Sequence, residues 1–255
     1  MKNENKMPAL NTLLLAAGKS LRIAKIANGL PKPLMPIANE AIIFRNLRWI
    51  NRFAQPNPVW INLHYKHKLM QRKIENFSKQ ISNLQIKFVY EKNIMGTAGA
   101  LKNISNQTSK DSHTLVIYAD NLFNFDLNDF IETHYRKKNK VTIAVFDDRL
   151  NTHTGIAGGK ALLDNHLYIT EFVEGKNGIL SPYVNAGVYL LAPEIIDHIP
   201  SDQFCDFGKD IFPKLLRENV PLNSYIIDGY CLGLDTPECF VVANKLIEQK
   251  KIVIL

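Results

Sequence analysis

Apolar and polar positions alternate along the chain in two different periods. Residues 10–17 form a largely apolar run, continuous from residue 13, that ends at Gly18, which is typical of a buried strand leading into a turn. Apolar residues between 42 and 53 recur at helical spacing, those between 59 and 63 alternate, and residues 66–81 again have a helical pattern. The chain therefore begins as an alternation of strands and helices.

The same alternation continues to the carboxyl-terminal part of the chain. Strands are predicted at 85–90, 114–119, 141–146, 184–191 and 222–228, and helices at 127–136, 207–218 and 237–249. Between residues 151 and 185, short strands and glycine-containing turns predict an antiparallel excursion. We expect an α/β fold with a Rossmann-like, doubly wound mixed sheet, as one domain over residues 10–255 behind a polar tail at 1–9.

Composition narrows the class of protein. The chain has 255 residues, of which 46% are hydrophobic and 22% charged, as in a soluble globular protein. No apolar run is long enough to cross a bilayer, and no signal peptide is evident, so we expect a cytoplasmic protein without a membrane partner. Three cysteines without C-x-x-C spacing indicate neither a disulfide framework nor a zinc site. The net charge of +7 could indicate a nucleic-acid-binding protein, but the lysines and arginines are scattered, and anionic small substrates explain the charge equally well. We therefore expect no nucleic-acid partner.

Candidate chemistry begins where the first strand meets its loop. The segment 15–22 places small residues at the crevice end of the sheet, where backbone N–H groups can approach phosphate oxygens. It has neither the G-x-G-x-x-G spacing nor that of a P-loop. Arg22 and Lys32, the latter held between Pro31 and Pro33, would present two cations to the same crevice. Phosphoryl or nucleotidyl transfer needs such cations to neutralise charge in the transition state.

These two segments together resemble the signature of sugar-phosphate nucleotidyltransferases, L-A-A-G-x-G-T-R followed by P-K-P-L. Ser20 stands where the family's second glycine is usual, and Leu21 stands where threonine is usual. The resemblance implies that Arg22 binds the triphosphate and stabilises departing pyrophosphate, and that Lys32 contacts phosphate at the reacting centre. It further implies that the loop binds substrate through Leu15, Ala16, Gly18, Lys19 and Ser20.

A second motif, residues 91–100, resembles the family's E-x-x-x-L-G-T-A-G-A loop around the nucleotide base. The resemblance implies substrate-binding roles for Glu91, Gly96 and Thr97. We expect Gly96 and Gly99 to let the backbone approach a planar ring, with the amino end of the following helix facing the ligand.

Two carboxylates are candidate Mg²⁺ ligands, because Mg²⁺ prefers hard oxygen donors. Asp120 ends a strand and resembles the family's strand-terminal G-D, with alanine in place of glycine. Residues 230–238 resemble W-x-D-I-G-T-P-E, with Gly233 at the second ligand position and Asp235 two residues later. Asp235 could supply a displaced metal ligand or could cap the helix that follows, and both interpretations stay open here.

The sugar side depends on weaker resemblances. Asn185 lies in a segment similar to the family's N-A-G-V-Y strand, and Glu174 resembles a sugar-binding glutamate. Gly175 separates Glu174 from Lys176, whereas many members have lysine directly after the glutamate. These resemblances imply that Glu174, Asn185 and Lys176 bind the sugar phosphate.

The resulting prediction is a Mg²⁺-dependent enzyme that joins a nucleoside triphosphate to a sugar 1-phosphate and releases pyrophosphate. Residues 206–213 and 228–230 resemble mannose 1-phosphate and heptose 1-phosphate guanylyltransferases, which favours GTP. We expect a monomer or homodimer without the β-helix domain of longer relatives. Two alternatives stay open: a cytidylyl- or other nucleotidyltransferase acting on a non-sugar phosphate, and a catalytically weakened regulatory subunit that binds nucleotide sugar.

Overall fold

Strands and helices alternate through most of the computed structural model, which describes residues 9–53, 58–81, 84–155, 158–175 and 179–253. Its strands are β1 (Asn11–Leu15), β2 (Pro36–Ile37), β3 (Glu40–Ala41), β4 (Val59–Leu63), β5 (Ile86–Tyr90), β6 (Thr114–Tyr118), β7 (Asn121–Asn124), β8 (Val141–Asp147), β9 (Lys160–Leu163), β10 (Ile169–Val173), β11 (Tyr183–Leu191), β12 (Leu222–Ile226) and β13 (Tyr230–Gly233). Its helices are α1 (Ile42–Phe53), α2 (His67–Ser78), α3 (Gly96–Ile104), α4 (Leu127–Arg136), α5 (Phe212–Arg217) and α6 (Pro237–Glu248).

One mixed sheet organises the molecule in the order β5-β4-β1-β6-β11-β8-β12. Strands β5, β4, β1 and β6 are mutually parallel, and β11 runs antiparallel to both β6 and β8. The β9–β10 hairpin joins β11 where Lys160 pairs with Val184. The predicted mixed α/β sheet and its antiparallel excursion are therefore confirmed.

Helices cover both faces of this sheet, because side chains of a strand point alternately to either side. In β1, Leu14 joins a core on the face covered by α1, α2 and α4. Its neighbour Leu13 joins a second core, on the face covered by α3 and α5. Both leucines are completely buried. The continuous apolar run of the first strand thus reflects burial on two faces.

Two small antiparallel pairs, β7–β13 and β2–β3, have too few residues to show a period in the sequence. The first pair matters for the site, since it places Gly233 opposite Asn121. Helix α6 follows, and Thr236 caps it by accepting a hydrogen bond from the Cys239 N–H at 3.4 Å. The predicted start of this helix is confirmed.

The helix predicted at 207–218 differs from prediction. Residues Phe207–Ile211 form a wide π-type turn, and α5 begins only at Phe212. Pro213 has no N–H group, so an α-helical hydrogen-bond ladder cannot continue through it.

Two expectations from the sequence concern the amino-terminal tail and the absence of membrane-spanning helices. Residues 1–8 of the polar tail lie outside the described residues. Within the described ranges, no helix is both long and apolar enough to span a membrane.

Candidate active site

Two carboxylates and two cations meet at the carboxyl end of β6. Asp120 lies between β6 and β7, and Asp235 lies between β13 and α6. The Lys32 Nζ donates to Asp120 Oδ2 at 2.8 Å and to Asp235 Oδ1 at 2.5 Å. Arg22 Nη2 lies 3.4 Å from the second oxygen, Asp235 Oδ2. The structure therefore brings together all four charged residues singled out at the reacting centre.

The two cations of this cluster have different surroundings. The Lys32 side chain is only 6% exposed and is held from both sides by carboxylates, whereas the Arg22 side chain is 70% exposed. Pro31 is extended and Lys32 begins a short 3₁₀ turn, so the backbone directs the lysine inward. Lys32 is thus fixed within the cluster, and Arg22 can reorient at its rim.

Charge pairing governs the protonation of the cluster. Burial alone would lower the pKa of Lys32, but the Asp120 and Asp235 carboxylates outweigh burial and raise it. Burial would likewise raise the pKa of Asp235, but Lys32 and Arg22 outweigh it and lower that pKa. The cluster accordingly keeps a buried ammonium beside an ionised carboxylate.

The position of Asp235 excludes the capping interpretation. Thr236 supplies the cap of α6, and both Asp235 oxygens face Lys32 and Arg22 instead. Because Gly233 pairs with Asn121 next to Asp120, the short β7–β13 sheet brings Asp235 to the carboxylate of Asp120. Asp120 and Asp235, whose carboxylates both accept from Lys32, supply the hard oxygen donors that Mg²⁺ prefers.

The phosphate loop, residues 15–22, leaves the sheet between β4 and β6. The Leu15 carbonyl accepts from the Ala119 N–H at 3.0 Å, and Ala16 N–H donates to the side chain of Asn62 at 2.7 Å. Gly18 and Lys19 are exposed to solvent. The loop therefore has an anchored beginning and an open middle.

Ser20 closes this loop in a left-handed conformation with φ of 58°. Glycine adopts that region without steric cost, which matches the glycine usual at this position in the resembling family. The Ser20 Oγ accepts a hydrogen bond from the Lys32 N–H at 3.0 Å, which a glycine could not do. The departure from the motif keeps the backbone shape and ties the loop to Lys32.

The glycines of the second motif have a packing role that the sequence did not predict. Gly96 has φ of +77°, and a Cβ there would lie 2.4 Å from the carbonyl oxygen of Cys205. A Cβ on Gly99 would lie 3.2 Å from the Gln203 carbonyl oxygen. These glycines therefore permit close packing of the chain segment 203–205. The approach of this loop to a planar ring stays a prediction.

The amino end of α3 is also occupied by protein. Thr97 N–H and Thr97 Oγ1 both donate to Asp206 Oδ1, at 3.0 and 3.1 Å. The N–H groups of Ala98 and Gly99 donate to the Cys205 carbonyl. The expectation that this helix end faces a ligand is wrong for these three N–H groups, because residues 205 and 206 cap them.

Glu91 is the first residue of the second motif and is 2% exposed. Its Oε1 accepts from Asn62 Nδ2 at 2.8 Å, and its Oε2 accepts from the Met95 N–H at 3.1 Å. Asn62, which sequence analysis missed, is thus bonded to both loops. A polar residue at the end of the apolar strand β4 was the available signal.

On the predicted sugar side, Glu174 packs against two glycines. A Cβ at Gly159 or Gly208 would lie within 2.6 Å of Glu174 Oε2, so both positions leave room for this carboxylate. Burial raises the pKa of Glu174, nearby Asp206 and Asp235 add to that rise, and Lys209 opposes it. Lys176 lies outside the described residues.

Asn185 is buried in β11, and its amide is already engaged. Its Oδ1 accepts from the Gly187 N–H at 2.9 Å, and its Nδ2 donates to the Tyr189 hydroxyl at 2.7 Å. These bonds leave one amide N–H and one lone pair of the amide oxygen of Asn185 for any further contact.

Comparison with known proteins shows the family of the chain. The family model described as nucleotidyl transferase matches residues 11–250. The chain belongs to the nucleotidyl transferase family. Among curated nucleotidyl transferases, it is 28% identical to a UTP–glucose-1-phosphate uridylyltransferase of Synechocystis, over 86% of this chain and 58% of that protein. It is 26% identical to a mannose-1-phosphate guanylyltransferase of Mycobacterium tuberculosis, over 91% of this chain and 63% of that protein. The chain thus spans about 60% of the length of these relatives.

Solved structures show the same nucleotidyl transferase fold. HddC from Yersinia pseudotuberculosis has a TM-score of 0.76 at 22% identity, covering 93% of this chain and 99% of the other. A putative glucose-1-phosphate thymidylyltransferase from Bacillus anthracis has a TM-score of 0.79 at 20% identity, covering 96% and 98%. At these identities the likeness establishes the fold alone.

Proposed function

We propose that this chain catalyses Mg²⁺-dependent transfer of a nucleotidyl group from a nucleoside triphosphate to a sugar 1-phosphate, with release of pyrophosphate. The observation that carries the proposal is the convergence of Arg22, Lys32, Asp120 and Asp235 at the carboxyl end of β6. Ligands of open α/β sheets bind at this edge. Family membership supports the same reaction class.

The proposed reaction is a single in-line displacement. An oxygen of the sugar 1-phosphate forms a bond to the α-phosphorus, and the bond between that phosphorus and the bridging oxygen to the β-phosphate breaks. The electron pair leaves with pyrophosphate. A phosphate monoester is already anionic, so the protein needs to position the reactants and neutralise charge more than to remove a proton.

Each charged residue has a distinct part in this proposal. Asp120 and Asp235 would hold Mg²⁺, which when bound would neutralise charge on the triphosphate oxygens. Lys32, fixed between the carboxylates, would contact phosphate at the reacting centre. Arg22, exposed at the rim, would exchange Asp235 for the triphosphate and stabilise departing pyrophosphate.

The remaining predicted site residues would bind the rest of the substrates. The loop that contains Leu15, Ala16, Gly18, Lys19 and Ser20 would cradle the triphosphate, with Ala16 anchored by Asn62 and the exposed Gly18 and Lys19 offering their backbone N–H groups. Gly96 and Thr97 would border the base. We assign Glu91 to the support of that border, since its carboxylate is buried. Glu174, Asn185 and Lys176 would face the sugar phosphate.

We favour GTP as the nucleotide. Residues 206–213 resemble the corresponding stretch of guanylyltransferases, and several relatives are mannose-1-phosphate guanylyltransferases. HddC was also solved in complex with GMP-PN. Relatives that use UTP require every base to be tested.

The decisive experiment is pyrophosphate release with Mg²⁺, across four nucleoside triphosphates and a panel of acceptors. Sugar 1-phosphates should support turnover, and choline and polyol phosphates should not. Turnover only on the latter would favour a non-sugar nucleotidyltransferase, and nucleotide binding without turnover would favour a regulatory subunit.

The assignment of residues is tested in the same assay. Arg22→Ala and Asp120→Ala should each lower turnover by about 10²-fold or more, because each removes a charge contact made in the transition state. The exposed Arg217, at the end of α5, offers a matched Arg217→Ala control with unchanged turnover. Near-normal rates in either site variant would refute its proposed role.

A further inference from the structure

We propose that Asn62 is a positioning residue that couples the phosphate loop to the loop bordering the base, and thereby sets the affinity for the nucleotide. Three hydrogen bonds carry this inference. Asn62 Oδ1 accepts from the Ala16 N–H at 2.7 Å, and Asn62 Nδ2 donates to Glu91 Oε1 at 2.8 Å. Glu91 Oε2 then accepts from the Met95 N–H at 3.1 Å.

The bonds form a continuous path between two segments that are distant in sequence. Ala16 is the first residue after β1, and Met95 immediately precedes α3. In the sheet, Leu15 pairs with Asn62, and this is the last pair between β1 and β4. The side chain of Asn62 takes the Ala16 N–H just where backbone pairing stops. It therefore determines where the phosphate loop leaves the sheet.

The burial of Asn62 and Glu91 indicates that these residues do more than fill space in the core. Asn62 is 3% exposed and Glu91 is 2% exposed. Burying an amide and a carboxyl group costs free energy that apolar residues of similar volume would not incur. In exchange, these groups provide directional hydrogen bonds. The bonds fix the position of the Ala16 N–H in one loop relative to the Met95 N–H in the other.

The inference rests on the proposed function, in which one nucleotide spans both loops. The triphosphate would lie on the phosphate loop and the base beside Gly96 and Thr97. A ligand that bridges two loops binds more tightly when their separation is set beforehand, because less ordering free energy is lost on binding. Asn62 would act through Ala16 and Glu91, without touching the nucleotide.

The path can be broken at either partner with almost no change in shape. Asn62→Asp keeps the acceptor for Ala16 but faces Glu91 with a second carboxylate. Glu91→Gln retains one acceptor oxygen, but its amide N–H then faces a donor, either the Asn62 amide or the Met95 N–H. Each variant should raise the nucleotide dissociation constant by about tenfold, the typical effect of one charged hydrogen bond.

The double variant N62D/E91Q reverses the direction of the central bond and retains all three contacts. The new glutamine amide donates to the new aspartate, while its oxygen still accepts from Met95. Net charge is unchanged. We expect the dissociation constant of the double variant to return to within about threefold of wild type, by recovery of the lost hydrogen bond.

Asn139 provides a matched control. It is also buried, and its Nδ2 donates to Thr142 Oγ1 at 3.0 Å near the amino end of β8, away from both loops. Asn139→Asp should leave nucleotide affinity unchanged whatever its effect on the melting temperature. If Asn62→Asp yields no folded protein, Asn62→Ala breaks both of its bonds without adding charge, and the same increase is expected.

The measurement is isothermal titration calorimetry of folded protein with each of the four common nucleoside triphosphates and Mg²⁺. Weakened single variants with a restored double variant support the coupling. Single variants that bind like wild type, or a double variant no better than the weaker single one, overturn it while leaving the proposed function intact. Wild-type protein that binds none of the four nucleotides overturns both.

Discussion

Ser20 holds a backbone conformation that suits glycine and still contributes a hydrogen bond that glycine lacks. Its φ of 58° lies in the left-handed region, and its hydroxyl accepts from the Lys32 N–H. Two opposed effects therefore act at one residue, since the conformation costs free energy and the bond repays part of it.

These effects separate in the variant Ser20→Gly. Glycine should relieve the backbone strain, so the melting temperature should stay the same or rise. Loss of the bond to Lys32 should lower turnover about threefold to tenfold. Ser20→Ala should show the same loss of turnover together with lower stability, because alanine keeps the strain. A glycine variant with full turnover would contradict the tie between loop and lysine.

Asp235 and Thr236 are adjacent residues with separable roles. Asp235→Asn should lower turnover by about 10²-fold and raise the Mg²⁺ concentration needed for half-maximal rate, because a charged oxygen donor is lost. The rate should be titrated against Mg²⁺ at saturating substrates.

Thr236→Ala is the matched control for Asp235. It removes the cap of α6 and should cost about 1 kcal/mol of unfolding free energy without changing the Mg²⁺ dependence. Unaltered Mg²⁺ dependence in Asp235→Asn as well would mean that this carboxylate is not a metal ligand.

At the scale of elements, the amino end of α3 depends on the segment before the π-type turn. Cys205 and Asp206 accept from the N–H groups of Thr97, Ala98 and Gly99. The close contact is possible only because residue 96 lacks a side chain. Two parts of the chain that flank the proposed site are thereby packed into one unit.

Gly96→Ala tests this packing. The added Cβ would meet the Cys205 carbonyl oxygen in a backbone conformation that alanine disfavours, so we expect a loss of about 3 kcal/mol or more in urea unfolding. Gly18→Ala is the control for stability, since a Cβ there meets nothing within 4 Å. Equal stabilities of the two variants would argue against the close contact.

At the scale of the whole molecule, a histidine pair, in which His134 is buried and His113 half-buried, joins α4 to the start of β6 and β8. His113 Nδ1 lies 2.8 Å from His134 Nε2, and His134 Nδ1 lies 2.7 Å from Thr142 Oγ1. Burial, with a smaller contribution from His113, lowers the pKa of His134 to about 3. Burial also lowers the pKa of His113.

This pair predicts loss of stability in mild acid. An unfolded histidine gains a proton as the pH falls below about 6.5, whereas folded His134 resists protonation down to about 3. Its contribution is therefore complete above pH 6.5 and declines progressively below it. Urea unfolding between pH 7 and 5 should show a shallower decline for His134→Gln than for wild type. Parallel pH profiles would exclude this histidine as a cause.

Much of the fold could be predicted because its cause is local. Leu13 and Leu14 face opposite cores, and the continuous apolar run around them already indicated a strand buried on both sides. The start of α6 could also be predicted, because Thr236 caps the helix and Pro237 occupies its first turn, both of which are local features. The β7–β13 pair was not predicted, because four-residue strands have no clear period. The turn at 207–211 was predicted as α-helix, because the apolar spacing outweighed the interruption that Pro213 causes.

The sequence by itself determined the alternating α/β order, the apolar faces and which segments carry the nucleotidyltransferase motifs, since periodicity and motif spacing are local properties. Only the tertiary structure decided that Asp235 joins Asp120 at Lys32, a contact across 203 positions of sequence separation. It also decided that Ser20 ties the phosphate loop to Lys32, that Gly96 serves the packing of Cys205, and that Asn62 joins two loops. These contacts depend on the arrangement of strand ends, which no local pattern of residues specifies.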